Sequence, residues 1–241
     1  MHLSKKLLLL IPLLFGLNSC KTENLKQVIS VLTEQQGASL TSQEVARGLK
    51  EALIQGISRG SSQASKVDGY FKNPQIKIPF PPEVRKVESA LRDIGLDSQV
   101  DRFILQLNRG AERAAAGARP IFVNAIRSLT IEDALTILRG EPNAATSYLK
   151  RTTSTLLKAQ FLPVISNALD ETKATRYYGD VVTRYNKIPL VKKVNPDLYG
   201  YATDRAIEGL FALIAKEEAN IRANPVARTT ELLDRVFGSQ D

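Results

Sequence analysis

The chain has 241 residues, and its 33 basic and 25 acidic side chains give a formal net charge of +8. Hydrophobic residues make up 43% of it, enough for a sizeable core. Its only histidine is His2 and its only cysteine is Cys20, which excludes Ser-His-Asp and Cys-His catalysis and Cys/His zinc sites from residue 21 onward. The sequence contains no phosphate-binding loop, dinucleotide fingerprint or calcium loop, so it predicts no cofactor and no metal site.

The first twenty residues have the order of regions that is typical of a lipoprotein export signal. Two lysines precede an apolar run from Leu7 to Leu17, which is too short to cross a bilayer as a permanent helix. Ser19 supplies the small residue before Cys20, and Leu17 supplies the aliphatic residue three positions before it. We therefore expect residues 1–19 to be a signal peptide and Cys20 to carry the lipid. An ordinary secretory peptide with a chance cysteine is the alternative.

This leader predicts attachment to the membrane in a bacterial cell envelope. Two acyl chains on Cys20 are enough for stable attachment without a transmembrane helix. Lys21 follows the cysteine in place of an aspartate that would favour retention at the inner membrane. The sequence therefore favours an anchor in the outer membrane, with the protein facing the periplasm.

Charge indicates the kind of partner. Cleavage after residue 19 removes two of the 33 basic side chains and none of the 25 acidic ones, which leaves a charge of +6. Outside the cytoplasm this balance favours an anionic envelope ligand or a protein partner besides the membrane, and no nucleic acid. A solvated basic surface that aids solubility is the alternative.

The mature chain begins with a predicted tether. Residues 20–39 contain one short amphipathic helix, with apolar residues at Leu25, Val28, Ile29 and Leu32. Thr41 and Glu44 then form a capping-box pattern, which predicts a helix over residues 42–63.

Further helices follow at short intervals. Pro82 suits the first turn of a helix and Gly95 its C-terminal cap. A longer helix starts near Asp97 and should bend or break before Pro120. Thr130 and Asp133 form a second capping-box pattern. The helix that begins there is predicted to end at Gly140.

The last part of the chain keeps the helical period. We expect helices over 143–170, with a kink at Pro163, and over 174–186, 197–223 and 229–237, the last capped by Thr229 or Thr230. Residues 76–80 and 188–191 alternate apolar residues with prolines, which predicts either a minor two-stranded β ribbon or plain extended loops. The fold class is all-α, a single compact multi-helix domain over residues 40–241.

Several short segments resemble a bacterial domain of unknown function, catalogued with the number 4197 and found in exported proteins and lipoproteins. The most specific segment is Ile221–Pro225 followed by Ala227–Thr230. Other matching segments are Asn73-Pro74, Asn108-Arg109 with Glu112, Glu132-Asp133-Ala134, Ala144-Ala145-Thr146 and Tyr185-Asn186. The resemblance implies a single exported helical domain from about residue 40 to 238, and it implies no reaction, ligand or catalytic residue.

Six polar residues from these segments form the candidate binding or buried polar cluster: Asn108, Arg109, Glu112, Arg222, Asn224 and Arg228. We expect them to lie close together, because polar groups on crowded helices need partners. In a binding site, Arg109 would meet an anionic ligand group. The competing interpretations are an interhelical network of hydrogen bonds and ion pairs or simple solvation. For Arg222 the alternative is an ordinary helix-surface pair with Glu218, one turn before it.

A second candidate region combines aromatic and basic residues. Its members are Tyr177, Tyr178, Tyr185, Tyr199 and Tyr201, with Arg176, Arg184, Lys187, Lys192 and Lys193. Such a group can hold sugars, peptides or lipid headgroups. Tyrosines that pack helices together are the alternative, and the absence of tryptophan weakens the sugar hypothesis.

Carboxylate doublets raise the hypothesis of a hydrolase. They are Glu132-Asp133, Asp170-Glu171 and Glu217-Glu218. Adjacent residues on a helix point about 100° apart, so no doublet by itself makes the facing pair of a glycosidase. The preferred function is therefore a non-catalytic envelope lipoprotein that binds a ligand or partner. A carboxylate-dependent hydrolase of cell-envelope polymer is the alternative, and a purely structural scaffold is a third possibility.

Overall fold

The computed structural model describes residues 40–93, 95–170, 178, 182–183, 186–187, 189–190, 193–194, 197–228 and 230–238. Its helices are α1 (Ser42–Ser65), a 3₁₀ turn (Pro82–Val84), α2 (Arg85–Asp93), α3 (Asp97–Ala115), α4 (Ala118–Arg127), α5 (Ile131–Arg139), α6 (Ala144–Asp170), α7 (Leu198–Ala223), a second 3₁₀ turn (Pro225–Ala227) and α8 (Glu231–Gly238). These ranges contain no β-strand. The all-α fold class is confirmed, while Cys20, the signal peptide and the tether lie outside the described residues.

Both capping boxes form as predicted. The Thr41 hydroxyl accepts a hydrogen bond from the N–H of Glu44 at 3.2 Å, and the Glu44 carboxylate accepts one from the N–H of Thr41 at 2.8 Å. Thr130 and Asp133 exchange the same two bonds at 3.0 Å each. The bonds from the capping threonines lower the pKa of both carboxyl groups. Each box satisfies backbone donors that the first turn of a helix leaves free.

Helix ends follow the predicted breakers. The φ of Gly95 is +81°, a left-handed conformation that suits glycine after a helix. The long helix ends at Ala115, and Pro120 lies in the first turn of the next helix, α4. Pro163 lies within α6, which continues as one helix from Ala144 to Asp170.

The core lies among α1, α3, α6 and α7, which make the most extensive contacts in the structure. Its largest fully buried side chains include Phe103, Phe122 and Phe161. Phe122 on α4 meets Phe211 on α7 edge to face, with 5.7 Å between ring centroids. Residues 40–241 form a compact unit, and the buried hydrophobic residues of the described core, from Ala46 to Phe237, all belong to it.

Tyr70 anchors the connection between α1 and the first 3₁₀ turn, which we call the 66–80 loop. Its ring is fully buried, and its hydroxyl donates to the carbonyl of Ala206 on α7 at 2.6 Å. Gly209 makes room for the ring, since a Cβ there would lie 2.9 Å from Tyr70 Cε1. Burial and the nearby Glu112 raise the pKa of this tyrosine. The loop is thereby fixed against the core.

The two proline-containing stretches form no ribbon in the described part of the chain. Residues 76–80 are irregular, because the backbone N–H and C=O of Ile78 bond to a side chain of α3 and not to a second strand. Pro189 and Leu190 lie in a turn, and Leu190 has a φ of +66°. Ile188 and Val191 lie outside the described residues.

Among the helices that the structure describes, none combines the length and the apolarity that crossing a membrane requires.

Candidate functional site

Glu112 on α3 holds the 66–80 loop by its backbone. One oxygen of this buried carboxylate accepts hydrogen bonds from the N–H groups of Tyr70 at 3.1 Å and Phe71 at 3.2 Å. The other oxygen accepts from Arg109 at 2.6 Å, and Arg109 also donates to Asp68 at 2.7 Å. A buried charge needs such partners, because desolvation without them is unfavourable. We call this set, together with Asn108, the loop network.

Asn108 binds the same loop eight residues further along. Its side-chain oxygen accepts from the N–H of Ile78 at 2.8 Å, and its amide nitrogen donates to the carbonyl of Ile78 at 2.9 Å. The nitrogen also donates to the carbonyl of Ile104 at 2.7 Å. Asn108 is fully buried. The Asn108 amide therefore makes with Ile78 the two backbone hydrogen bonds that a neighbouring strand would otherwise make.

The outer side of the loop network carries basic and aromatic groups. The Lys77 ammonium lies 4.7 Å from the centroid of the Phe71 ring, and the Arg109 guanidinium lies 5.8 Å from it. Lys72 pairs with Asp68 at 2.8 Å and is 73% exposed. The bonds from Lys72 and Arg109 lower the pKa of Asp68. We call Phe71, Lys72 and Lys77 the basic loop surface.

Glu218 on α7 closes a second network, around the turn between α5 and α6. Its carboxylate is buried and accepts from the N–H groups of Ala145 at 3.0 Å and Thr146 at 2.8 Å, at the N-terminus of α6. The Thr146 hydroxyl donates to the same carboxylate at 2.7 Å. Negative charge at this position satisfies free donors and complements the helix dipole.

Arg222, one turn later on α7, binds the other side of this turn. It pairs with Glu218 at 3.0 Å and donates to the carbonyls of Ile137 at 2.9 Å and Leu138 at 3.2 Å, near the C-terminus of α5. One ion pair on α7 thus bonds the end of one helix and the start of the next. We call this set, together with Arg228, the turn network.

Arg228 caps α7 itself. Its buried guanidinium donates to the carbonyls of Ile221 at 3.4 Å and Arg222 at 3.0 Å and lies 6.0 Å from the centroid of the Phe237 ring. Asn224 is exposed and accepts from the N–H of Val226, a local turn contact.

The six candidate residues therefore do not form one cluster. Asn108, Arg109 and Glu112 belong to the loop network, Arg222 and Arg228 belong to the turn network, and Asn224 belongs to neither. The two networks reach α7 at Ala206 and Glu218, which are about 18 Å apart along the helix.

The described tyrosines of the second candidate region make internal contacts. Tyr178 is buried, with its ring edge to face against Phe80. The Tyr199 hydroxyl donates to Asp170, a bond that raises the pKa of Tyr199 to about 12. The Tyr201 hydroxyl donates to the carbonyl of Pro79 at 3.3 Å. Lys187 and Lys193 are exposed, and the other members, Tyr177, Tyr185, Arg176, Arg184 and Lys192, lie outside the described residues.

The carboxylate doublets are divided between structural contacts. Asp133 caps α5, and Glu132 is exposed beside it. Glu217 pairs with Arg59 at 3.7 Å, while its neighbour Glu218 points to the α5–α6 turn. Asp170 binds Tyr199, and its neighbour Glu171 lies outside the described residues. In the described ranges, no three His, Cys, Asp or Glu side chains are grouped as a metal site would require.

Sequence reasoning missed two features of these networks. Glu218 was expected to make an ordinary surface pair with Arg222, and nothing local indicates that it is buried against Thr146, 72 residues earlier. Asp68 lies after α1 with a φ of +67°, and the Asp-Gly pair that it begins is the one signal that could have indicated a turn there.

A family model described as "Protein of unknown function (DUF4197)" matches residues 39–238. No curated protein and no solved structure matches the chain.

Proposed function

The chain belongs to this family of unknown function, and we propose that it is a non-catalytic lipoprotein of the cell envelope whose helical body binds an anionic envelope ligand. The export-signal pattern around Cys20 supports the location. The basic loop surface supports the ligand class, because exposed cations, an aromatic ring and a fixed backbone occur together there.

The observation that carries the proposal is that Lys77 and Arg109 both lie over the Phe71 ring. The ring holds the ammonium group at the surface without neutralising it, since a cation–π contact adds no negative charge. Asp68 is shared between Lys72 and Arg109, so one carboxylate faces two cations. Glu112 is the second carboxylate at Arg109, so Lys77 is the cation that gives the surface its positive excess, which suits phosphate or carboxylate groups.

Rigidity makes this surface suitable for binding. Glu112 fixes the backbone of Phe71, and Asn108 fixes that of Ile78, on the two sides of Lys77. A loop that is already ordered loses little conformational entropy when a ligand binds. The buried polar residues of the loop network thus support the binding surface from beneath and need not contact the ligand themselves.

A carboxylate-dependent hydrolase is the alternative function, and the contacts of the buried acids favour it less. Both oxygens of Glu112 and both oxygens of Glu218 are bonded within the fold, to backbone N–H groups, a hydroxyl or arginines. A general acid or nucleophile must instead face substrate. Release of reducing ends from purified cell-wall glycan by the protein would support the hydrolase and contradict the proposal.

The anchor is tested by Cys20→Ser. We expect the wild type to remain in the membrane fraction after a high-salt wash, and the variant to be unprocessed or recovered as a soluble exported protein. Equal membrane retention of the two proteins would contradict lipidation at Cys20.

The ligand class is tested by sedimentation with phosphatidylglycerol vesicles, lipopolysaccharide and phosphatidylcholine vesicles. We expect residues 40–241 to bind the two anionic probes and not phosphatidylcholine, and the double variant Lys72→Glu/Lys77→Glu to lose that binding. Lys150→Glu/Lys216→Glu is the matched control, because it makes the same charge change at exposed lysines of α6 and α7. Equal loss in both variants would indicate attraction to overall charge and contradict a defined surface.

A further inference from the structure

An asparagine holds a second loop in the way that Asn108 holds the 66–80 loop. The Asn186 side-chain oxygen accepts a hydrogen bond from the N–H of Val194 at 2.8 Å, and its amide nitrogen donates to the carbonyl of Val194 at 2.7 Å. Val194 is buried, and the N–H of Asn186 donates to the carbonyl of the buried Val182 at 2.9 Å. Both ends of this segment, which we call the 186–194 loop, are therefore fixed to the core.

Leu190 combines two unfavourable features in the middle of this loop. Its side chain is fully exposed, more than any other large hydrophobic residue in the described ranges. Its φ of +66° is a left-handed conformation that glycine or asparagine adopts at a lower cost than leucine. Either of those residues would relieve both features, so neither feature serves the fold. A backbone outlier of this kind is a reason to infer a function for the residue that adopts it.

The neighbours of Leu190 indicate which partner it meets. Lys187 and Lys193 are exposed, three residues before it and three after it, and Pro189 beside it is exposed as well. An apolar side chain between two cations matches the surface of an anionic bilayer, where a layer of phosphates covers the acyl chains. A soluble polyanion would pair with the lysines and leave Leu190 in water.

The 186–194 loop and the 66–80 loop are attached at the same end of the molecule. Val194 lies four residues before Leu198, where α7 begins. Tyr201, in the first turn of α7, donates from its hydroxyl to the carbonyl of Pro79 at 3.3 Å, at the end of the 66–80 loop. Both loops are thus attached at the N-terminal end of α7, as contact of the two with one extended surface requires.

We propose that the 186–194 loop inserts Leu190 into an anionic lipid bilayer, with Lys187 and Lys193 at the layer of phosphates. This inference rests on the proposed location in the cell envelope and on the proposed anionic ligand, which it identifies as the lipid surface itself. One leucine gives weak attachment, so the contact orients a protein that is already anchored through Cys20. The N-terminal end of α7 then faces the membrane.

A fluorescent label at position 190 tests the insertion. Residues 20–241 contain one cysteine, so Cys20→Ser with Leu190→Cys leaves a single thiol for a nitrobenzoxadiazole label. An N-terminal histidine tag and a nickel-chelating lipid replace the acyl anchor. We expect a blue shift on phosphatidylglycerol vesicles, with quenching by a spin label on the acyl chains, and no shift on phosphatidylcholine vesicles. Val226→Cys is the control, because Val226 is 89% exposed near the opposite end of α7, and its label should stay in water.

A label at position 190 that stays in water on tethered phosphatidylglycerol vesicles would overturn the proposal. Equal shifts at positions 190 and 226 would also overturn it, because they would indicate contact without a defined orientation. Capture of an acidic protein through Leu190, with the label in water on vesicles, would identify a protein partner in place of the bilayer and would overturn it too.

Leu190→Asn tests the contribution of the side chain without changing charge. Asparagine suits the left-handed conformation, so the melting temperature should stay equal or rise. Partition of the untethered protein to phosphatidylglycerol vesicles should fall about tenfold, since one buried leucine is lost. Val226→Asn should leave partition unchanged. Full partition of Leu190→Asn with loss in Lys72→Glu/Lys77→Glu would overturn insertion and keep the proposed function. The reverse result would contradict the basic loop surface and support insertion.

Discussion

The loop network and the turn network use the same chemical groups to provide hydrogen-bond partners for backbone N–H groups in the fold. Each buries a glutamate that accepts hydrogen bonds from two consecutive backbone N–H groups, and each pairs that glutamate with an arginine on its own helix. In the turn network the backbone groups belong to helix ends, whose dipoles match the charges of Glu218 and Arg222. In the loop network the backbone groups belong to an irregular segment, which has no helix dipole to complement the charge of Glu112.

This difference separates a structural role from one that also shapes a surface. Besides pairing with each other, Glu218 and Arg222 make their hydrogen bonds to the turn between α5 and α6. Their side chains are 5% and 19% exposed. Arg109 is 26% exposed, shares Asp68 with Lys72, and lies beside Phe71 and Lys77. Substitutions in the turn network should therefore change stability alone, whereas those in the loop network should change stability and ligand binding together.

The largest expected effect is that of Glu218→Ala. The change leaves Arg222 without its carboxylate and removes the acceptor for three donors at the start of α6. Removing one partner of a buried ion pair lowers the free energy of unfolding by about 3–5 kcal/mol. Urea denaturation should show that loss, with binding to phosphatidylglycerol vesicles unchanged while the protein is folded. A loss below 1 kcal/mol in the free energy of unfolding would show that the contacts of Glu218 contribute no more than an ordinary surface ion pair.

Asn108→Ala should have the next largest effect. It leaves the N–H and C=O of the buried Ile78 without these partners, at about 1–2 kcal/mol for each group, or about 2–4 kcal/mol together. We expect a lower unfolding free energy and weaker binding to anionic vesicles, because Lys77 loses its fixed backbone. Asn124→Ala, at an exposed position of α4, is the control. Unchanged vesicle binding by a destabilised Asn108→Ala would separate the loop network from the binding surface.

Arg109→Ala should lower the unfolding free energy by about 1–2 kcal/mol, because Glu112 keeps its two backbone donors after the guanidinium is lost. The partial exposure of Arg109 keeps this figure below that for Glu218. Binding to anionic vesicles should fall as well, since the surface loses one of its cations. Thermal melts and vesicle sedimentation on the same preparation measure both quantities. Full stability with lost binding would instead identify Arg109 as a group reserved for the ligand.

The smallest expected effect concerns the pH dependence of Asp68. Hydrogen bonds from Lys72 and Arg109 lower its pKa in the folded state. The stabilisation is therefore present above its unfolded pKa of about 3.9 and is lost as the pH falls through the lower folded value. Asp68→Asn should make the fall in stability below pH 4 slightly shallower, as measured by denaturation from pH 6 to pH 2.5. Asp93→Asn, at an exposed position, is the control, and identical curves for the two variants would contradict the assignment.

The candidate site could be predicted only in part. Sequence pattern identified Asn108, Arg109, Glu112, Arg222 and Arg228 as polar residues of interest, because motifs and charge spacing are visible along one helix. It did not divide them into two networks. The partners of Glu112 and Asn108 lie 30 to 42 residues away in the chain, and those of Glu218 lie 72 and 73 residues away. No local rule specifies such pairs.

The sequence by itself determined where helices start and stop, because caps and breakers act over three or four residues. Thr41 with Glu44, Thr130 with Asp133, and Gly95 behave as their local chemistry requires. Only the tertiary structure decided which buried acid binds which backbone, and whether Ile78 would pair with a strand or with an asparagine side chain. The physical reason is that a buried polar group takes the partner that packing brings within about 3 Å, whatever its distance along the chain.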